Sequence, residues 1–94
     1  MAGIELVTEI PGPKSTEIVA RREAAIPSGA AKLTQIAVDH AHGALVTDVD
    51  GNRLIDLAGG IGVLAVGHTP DTVVKALTDQ AEKLIHMCAI VSSY

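Results

Sequence analysis

The chain has 94 residues, 48% of them apolar, and a formal net charge of −4. Its seven basic residues are scattered, which excludes the clustered positive charge expected of a nucleic-acid-binding protein. The single cysteine, Cys88, cannot form an internal disulfide, and the longest apolar run is far shorter than the roughly 20 residues that cross a bilayer. We therefore expect a cytoplasmic protein with no nucleic-acid partner and no membrane span.

The apolar residues are almost all aliphatic, with one Tyr and neither Phe nor Trp. Aromatic side chains supply much of the contact area of protein cores and interfaces. A chain of this length also buries a smaller fraction of its surface than a longer chain does. The composition therefore predicts a thin hydrophobic core.

The beginning of the chain predicts an arm followed by a helix. Residues 1–12 mix apolar and polar side chains and stop at a Pro-Gly-Pro sequence, which is typical of an extended arm closed by a turn. Proline in the first turn and the four-residue spacing of Glu17 and Arg21 predict an amphipathic helix over residues 13–25.

Three short strands are predicted next, at residues 35–41, 44–48 and 53–58. Asp50-Gly51 lies between the last two and is a strong hairpin signal, because Gly adopts positive φ at little cost and Asp tolerates it. The strands should form a small antiparallel meander.

A glycine-rich segment, residues 59–66, follows the strands. Residues 60–65 match a dinucleotide-binding pattern, and Asp79 lies near the spacing of a ribose contact. However, Gly67 and Pro70 interrupt the segment too soon for the long helix that this pattern requires. We favour a connection whose backbone lies close to another surface.

A second helix is predicted after this segment. Thr69 is expected to cap it, with Pro70 at its first position and Asp71 near the positive end of its dipole. Its apolar stripe is expected to comprise Val73, Val74, Leu77, Ala81, Leu84 and Ile85. The order of helix, meander, glycine-rich segment and second helix is an α+β fold.

Two patterns resemble metal sites. Residues 48–52 resemble a calcium loop, but the glycine stands at the fourth position instead of the sixth, which favours a hairpin turn. His40 and His42 alternate on a predicted strand and would face the same side, yet no third ligand has a compatible spacing. Two surface imidazoles are the favoured interpretation.

His86 and Cys88 could suggest an activated thiol, but residues two apart do not face each other on a helix, and no acid is adjacent. We expect Cys88 to be a small buried apolar group. His68 has two interpretations, a functional residue or a cap of the turn before the second helix, and the sequence slightly favours the cap. The residues by themselves therefore predict no catalytic residue, no metal and no bound cofactor.

Taken together, several segments resemble one family. They are residues 12–15, 21–25, 48–53, 56–63, 66–68 and 73–74 and the His86-x-Cys88 ending. Residues 12–94 resemble the amino-terminal portion of class III pyridoxal-phosphate-dependent aminotransferases, most closely those that act on 4-aminobutyrate.

The resemblance implies that residues 13–94, after the arm of residues 1–12, are part of the small domain of a fold-type I aminotransferase. It also implies that the large pyridoxal-phosphate domain is absent from this chain and that the whole enzyme is a homodimer. The Schiff-base lysine would lie beyond this chain, so no catalytic role is inherited by Lys14, Lys32, Lys75 or Lys83. The chain alone is then expected to bind no cofactor and to be inactive.

The resemblance implies two substrate-binding residues. Ile61 matches the apolar residue of a Gly-Gly-Ile motif that packs against the substrate chain, and Ile90 falls where relatives often carry glutamine. The implied reaction moves an amino group from an ω-amino acid such as 4-aminobutyrate to a 2-oxo acid such as 2-oxoglutarate. Burial of each substrate methylene against an apolar side chain would stabilise binding by about 0.8 kcal/mol.

A second hypothesis remains open. The chain could be a free-standing interaction module that docks on a partner through the stripe of the second helix and through residues 59–66.

Overall fold

The computed structural model describes residues 3–30, 32–88 and 90. Within them the elements are α1 (Pro13–Ala25), β1 (Val38–His42), β2 (Leu45–Asp48), β3 (Arg53–Ile55), α2 (Gly59–Gly62) and α3 (Asp71–Ala81). The three strands pair antiparallel in the order β1-β2-β3. The predicted α+β arrangement and its meander are confirmed.

The turn between β2 and β3 contains three polar side chains, Asp48, Asp50 and Asn52, which we call the turn cluster. Asn52 is fully buried. Its Oδ1 accepts from the backbone N–H groups of Val7 and Thr8 at 2.7 and 2.8 Å, and its Nδ2 donates to Asp48 Oδ2 at 2.9 Å. Because Asp48 Oδ1 also accepts from the backbone N–H of Asn52 at 2.8 Å, the turn and the arm are fixed together.

The start of α1 is fixed by the same turn. Asp50 Oδ1 and Oδ2 accept from the backbone N–H groups of Lys14 and Ser15 at 2.7 and 2.8 Å. Gly12 is required beside this contact, because a Cβ there would lie 2.3 Å from Asp50 Cγ. A side chain about 35 residues along the chain therefore supplies the helix cap that the local sequence lacks.

The arm pairs with the open edge of β3. Glu5 and Arg53 exchange backbone hydrogen bonds of 2.8 and 2.7 Å, and the side chain of Arg53 donates to Glu5 Oε2 at 2.7 Å. The arm is thus docked along the sheet.

Strands β1 and β3 are shorter than predicted. The backbone N–H of Ala37 donates to Ser15 Oγ at 3.3 Å instead of entering the ladder, and the register shifts between Val38 and His40. At the other end, Asp56 Oδ1 accepts from the N–H groups of Ala58 and Gly59, both at 2.9 Å, and turns the chain out of the sheet.

The start of α3 also differs from the prediction. Thr69 has φ of +42° and its hydroxyl donates to the carbonyl of Ala41 at 2.7 Å, so it does not cap the helix. Pro70 occupies the cap position with no side-chain cap hydrogen bond. Because the helix ends at Ala81, the predicted stripe loses Leu84 and Ile85.

The hydrophobic core is even thinner than the composition predicts. Among the hydrophobic residues of the described ranges, only Val19 is buried. The radius of gyration is 17.4 Å, against about 12 Å for a compact domain of this length. Most of the order therefore comes from hydrogen bonds of the meander and the turn cluster. No helix in the described part of the chain is long and apolar enough to cross a membrane.

Replacing Asn52 by Ala should lower the free energy of unfolding by about 3 kcal/mol, because two backbone N–H groups lose their acceptor in a buried site. Urea denaturation of the expressed protein measures this change. Gln35→Ala, which truncates an exposed amide, is the matched control. A change below about 0.5 kcal/mol for Asn52→Ala would contradict the role given to this side chain.

The contact between Asp50 and α1 should be sensitive to acid. Partial burial acts to raise the pKa of Asp50, but the N–H groups of Ser15 and Lys14 outweigh it and bring the pKa below its ordinary value of 3.8. The stabilisation of α1 by the Asp50 carboxylate is therefore complete above pH 3.8 and is lost as the pH falls through the lowered pKa.

In an NMR titration, the amide resonances of Lys14 and Ser15 should shift together with a midpoint below pH 3.8. Asp50→Asn should abolish this transition. A midpoint at or above 3.8 would show that the carboxylate is not held by these amides.

Candidate functional site

The glycine-rich segment forms a left-handed turn. All four residues of α2 have positive φ, namely 53° at Gly59, 64° at Gly60, 58° at Ile61 and 74° at Gly62. Glycine adopts this conformation at little cost, but a β-branched residue there is an outlier that costs about 1–3 kcal/mol. Ile61 is thus held in a conformation that its own side chain disfavours.

The close backbone approach predicted for this segment occurs elsewhere. A Cβ on Gly62 would meet no atom within 4 Å, whereas a Cβ on Gly67 would lie 2.8 Å from the carbonyl oxygen of Gly43. Within the described residues, the glycine that permits close packing is therefore Gly67, and the contact of residues 59–66 with another surface stays a prediction.

The side chain of Ile61 is 81% exposed and lies at an open cavity of about 670 Å³, which we call the Ile61 cavity. Most of the lining is aliphatic and comes from the sheet and its flanks. It includes Ile36, Val38, Val46, Leu54, Ile55 and Leu57. An apolar cavity of this size has room for a short aliphatic ligand.

Two titratable residues, Asp56 and His68, line the same cavity. His68 Nε2 lies 2.7 Å from Asp56 Oδ2, and their side chains are 23% and 18% exposed. This hydrogen bond from His68 is the largest effect that holds the pKa of Asp56 below 3.8; the N–H groups of Gly59 and Ala58 add to it, and partial burial opposes it. The carboxylate is therefore ionised at neutral pH, and the ring N–H of His68 donates to it.

His68 is also joined to the sheet through its backbone. Its N–H and carbonyl pair with Gly43 at 2.8 and 3.0 Å. The expectation that His68 caps the turn before α3 is wrong, because its ring is engaged by Asp56.

The remaining sequence-predicted candidates lie apart from this site. Ile90 is 95% exposed, and within the described part of the chain it does not line the Ile61 cavity. Cys88 is exposed, not buried, and residues 85–87 before it are exposed as well. His40 Nδ1 contacts Asp39 at 2.8 Å, whereas His42 Nε2 lies 3.4 Å from Asp71, so the two imidazoles have separate partners.

The described residues do not fit pyridoxal phosphate. A Schiff-base lysine needs an amine that can lose its proton in a desolvated site. Lys75 instead pairs with Asp79 at 2.6 Å on the surface, and Lys32 pairs with Glu23. Of the lysines in the described ranges, none lines the Ile61 cavity.

The turn cluster and the Asp56–His68 pair were missed by the sequence reasoning. The signal for the first was present, since Asp and Asn side chains bind nearby backbone groups in turns. The spacing of Asp56 before Ala58 and Gly59 is typical of the same kind of turn. No local pattern indicates that His68 reaches back to Asp56.

Most of the chain is similar in sequence to aminotransferases. Residues 26–94 match the family described as Aminotransferase class-III. The chain is 44% identical over 90 residues to 4-aminobutyrate aminotransferase of Mycobacterium leprae (strain TN), covering 96% of this chain and 20% of that protein. It is 44% identical over 77 residues to 5-aminovalerate aminotransferase of Pseudomonas putida, covering 82% of this chain and 18% of that protein.

It is also 57% identical over 51 residues to isoleucine 2-epimerase of Lentilactobacillus buchneri, covering 54% of this chain and 11% of that protein. The chain spans about 20% of the length of the 4-aminobutyrate aminotransferase that it matches. Since the family match covers well over half of the residues, the chain belongs to the class III aminotransferases.

Proposed function

We propose that this chain is part of the small domain of a fold-type I transaminase that moves an amino group from an ω-amino acid such as 4-aminobutyrate to a 2-oxo acid such as 2-oxoglutarate. The observation that carries the proposal is the position of Ile61, held at left-handed φ beside an open apolar cavity in a chain of this family. Its relatives support the substrate class, because two of them are named for 4-aminobutyrate and 5-aminovalerate.

The chemistry of the cavity suits such a donor. An ω-amino acid carries methylenes between two charged ends, and contact of each methylene with an apolar surface is worth about 0.8 kcal/mol. We propose that Ile61 contacts these methylenes and that Ile90 is a second substrate-binding residue. An isoleucine at position 90 offers no hydrogen bond to the donor, which separates this site from one that carries glutamine there.

The catalytic lysine and pyridoxal phosphate belong, in this proposal, to the rest of a longer homodimeric subunit in the cytoplasm. Because the described residues do not fit the cofactor, we assign them no step of the reaction; their task is to shape the donor site. The proposal divides the chain into an arm, residues 1–12, and a partial small domain, residues 13–94.

The exposed apolar surface supports this arrangement. The lining of the Ile61 cavity and the side chains of Val73, Val74 and Leu77 on α3 are open to solvent. The matched relatives are about five times as long as this chain, and the additional length of such a protein would supply the covering surface. A free-standing interaction module would expose the same stripe of α3, and it differs in needing no further catalytic domain.

A second candidate activity is epimerisation of an amino acid. The identity of 57% to isoleucine 2-epimerase over 51 residues favours it. The two activities differ in one requirement, since a transaminase consumes a 2-oxo acid and an epimerase does not.

The 94-residue chain alone should show no turnover of 4-aminobutyrate with 2-oxoglutarate in the presence of pyridoxal phosphate, because its described residues do not fit the cofactor. A longer subunit that contains this segment should be active, and its activity should depend on the 2-oxo acid. A 4-aminobutyrate aminotransferase serves as the positive control. Turnover by the 94-residue chain would contradict the proposal that the catalytic lysine lies in the rest of a longer subunit. If the longer subunit inverted C2 of isoleucine without a 2-oxo acid and did not consume 4-aminobutyrate, the epimerase would be favoured.

In the active protein, Ile61→Ala should lower kcat/KM for 4-aminobutyrate about tenfold, since it removes contact with roughly two substrate methylenes. Val63→Ala is the matched control: Val63 follows the same turn, is 76% exposed and is not part of the lining of the Ile61 cavity. Steady-state kinetics with both variants make the comparison. Equal effects of the two substitutions would exclude a specific contact between Ile61 and the donor.

A further inference from the structure

The left-handed turn needs support from outside itself. Within it, the N–H of Gly62 donates to the carbonyl of Ala58 at 2.9 Å, and the N–H of Leu64 donates to the carbonyl of Gly59 at 2.9 Å. These bonds close the turn but do not attach it to the sheet. A β-branched residue at φ of +58° persists only where surrounding contacts hold it.

Asp56 fixes the entry to the turn. Its Oδ1 accepts from the N–H groups of Ala58 and Gly59, both at 2.9 Å. The backbone N–H of Asp56 itself donates to the carbonyl of Ala44 at 2.8 Å, so the residue stands at the end of the sheet. Asp56 therefore links the sheet to the first residues of the turn.

His68 fixes the carboxylate of Asp56. The ring N–H donates to Asp56 Oδ2 at 2.7 Å, and the backbone of His68 is paired on both sides with Gly43. A hydrogen bond to an ionised acceptor is shorter and stronger than a neutral one. The orientation of the carboxylate, and with it that of Oδ1, is thus set by a residue anchored to the end of β1.

We propose that Asp56 and His68 are positioning residues: the ring of His68 holds the Asp56 carboxylate against the N–H groups of Ala58 and Gly59, and this contact keeps Ile61 at the cavity. The part of the inference that concerns the substrate rests on the proposed function. The part that concerns the turn rests on the contacts alone.

The chain offers a matched comparison. His42 and Asp71 form a second imidazole–carboxylate pair, at 3.4 Å, with side chains 71% and 96% exposed. Asp71 is the first residue of α3 and is not adjacent to the left-handed turn. His42→Ala therefore removes an imidazole–carboxylate contact at a position where we expect no effect on Ile61.

The test is amide hydrogen exchange in the protein as its gene expresses it. In His68→Ala, exchange at Gly62 and Leu64 should rise about tenfold, because the carboxylate loses its orienting donor. His68→Gln keeps an N–H donor and should restore part of the protection. His42→Ala should leave both amides unchanged.

The amides of Asp48 and Gly51, bonded within the turn cluster, report on general loosening. Wild-type exchange at Gly62 and Leu64 in His68→Ala would overturn the inference. An equal rise at Asp48 and Gly51 would also overturn it, since it would show that His68 stabilises the whole chain without a specific effect on the turn.

Kinetics give a readout that a general loss of stability would not produce. In a protein active as a transaminase, His68→Ala should raise KM for the ω-amino donor with little change in kcat. Hydrogen exchange needs no turnover, so a protein that fails the transaminase assay contradicts the proposed function and still tests the positioning of the turn.

Discussion

The buried carboxamide of Asn52 connects parts of the chain that have little else to hold them. It accepts from the backbone of the arm and donates to Asp48, while Asp50 from the same turn caps α1. The bonds to the arm and to α1 join segments far apart in sequence, and each uses a backbone N–H that would otherwise lack a partner. The bond to Asp48 is local and holds the Asn52 side chain within the turn. Because just one hydrophobic side chain in the described ranges is buried, these polar contacts set the relative positions of arm, helix and sheet.

A fold ordered in this way can leave its apolar side chains uncovered. The meander places Val46 and Leu54 next to the left-handed turn, and together with Ile61 they form part of one open, aliphatic cavity. In a complete globular domain such groups would be buried against a second layer. Under the proposed function, the further length of a class III transaminase subunit would cover these groups.

The sequence predicted what depends on local chemistry. The bounds of α1 follow from Pro13 and the residues after it, and the hairpin follows from Asp50-Gly51, so both are confirmed. Non-local contacts could not be predicted from it: Thr69 bonds to Ala41 instead of capping α3, and the backbone N–H of Ala37 bonds to Ser15. For the site, the family resemblance indicated Ile61, but the backbone conformation of Ile61 and its support by Asp56 and His68 depend on pairing across the fold.

The most direct measurement is a crystal structure of the expressed protein with a bound ω-amino acid, from which the distance between the Ile61 side chain and the ligand methylenes is read. We predict van der Waals contact, at about 4 Å, with position 61 still at positive φ. A ligand bound elsewhere, with Ile61 facing solvent, would contradict the account of this surface as one side of a donor site.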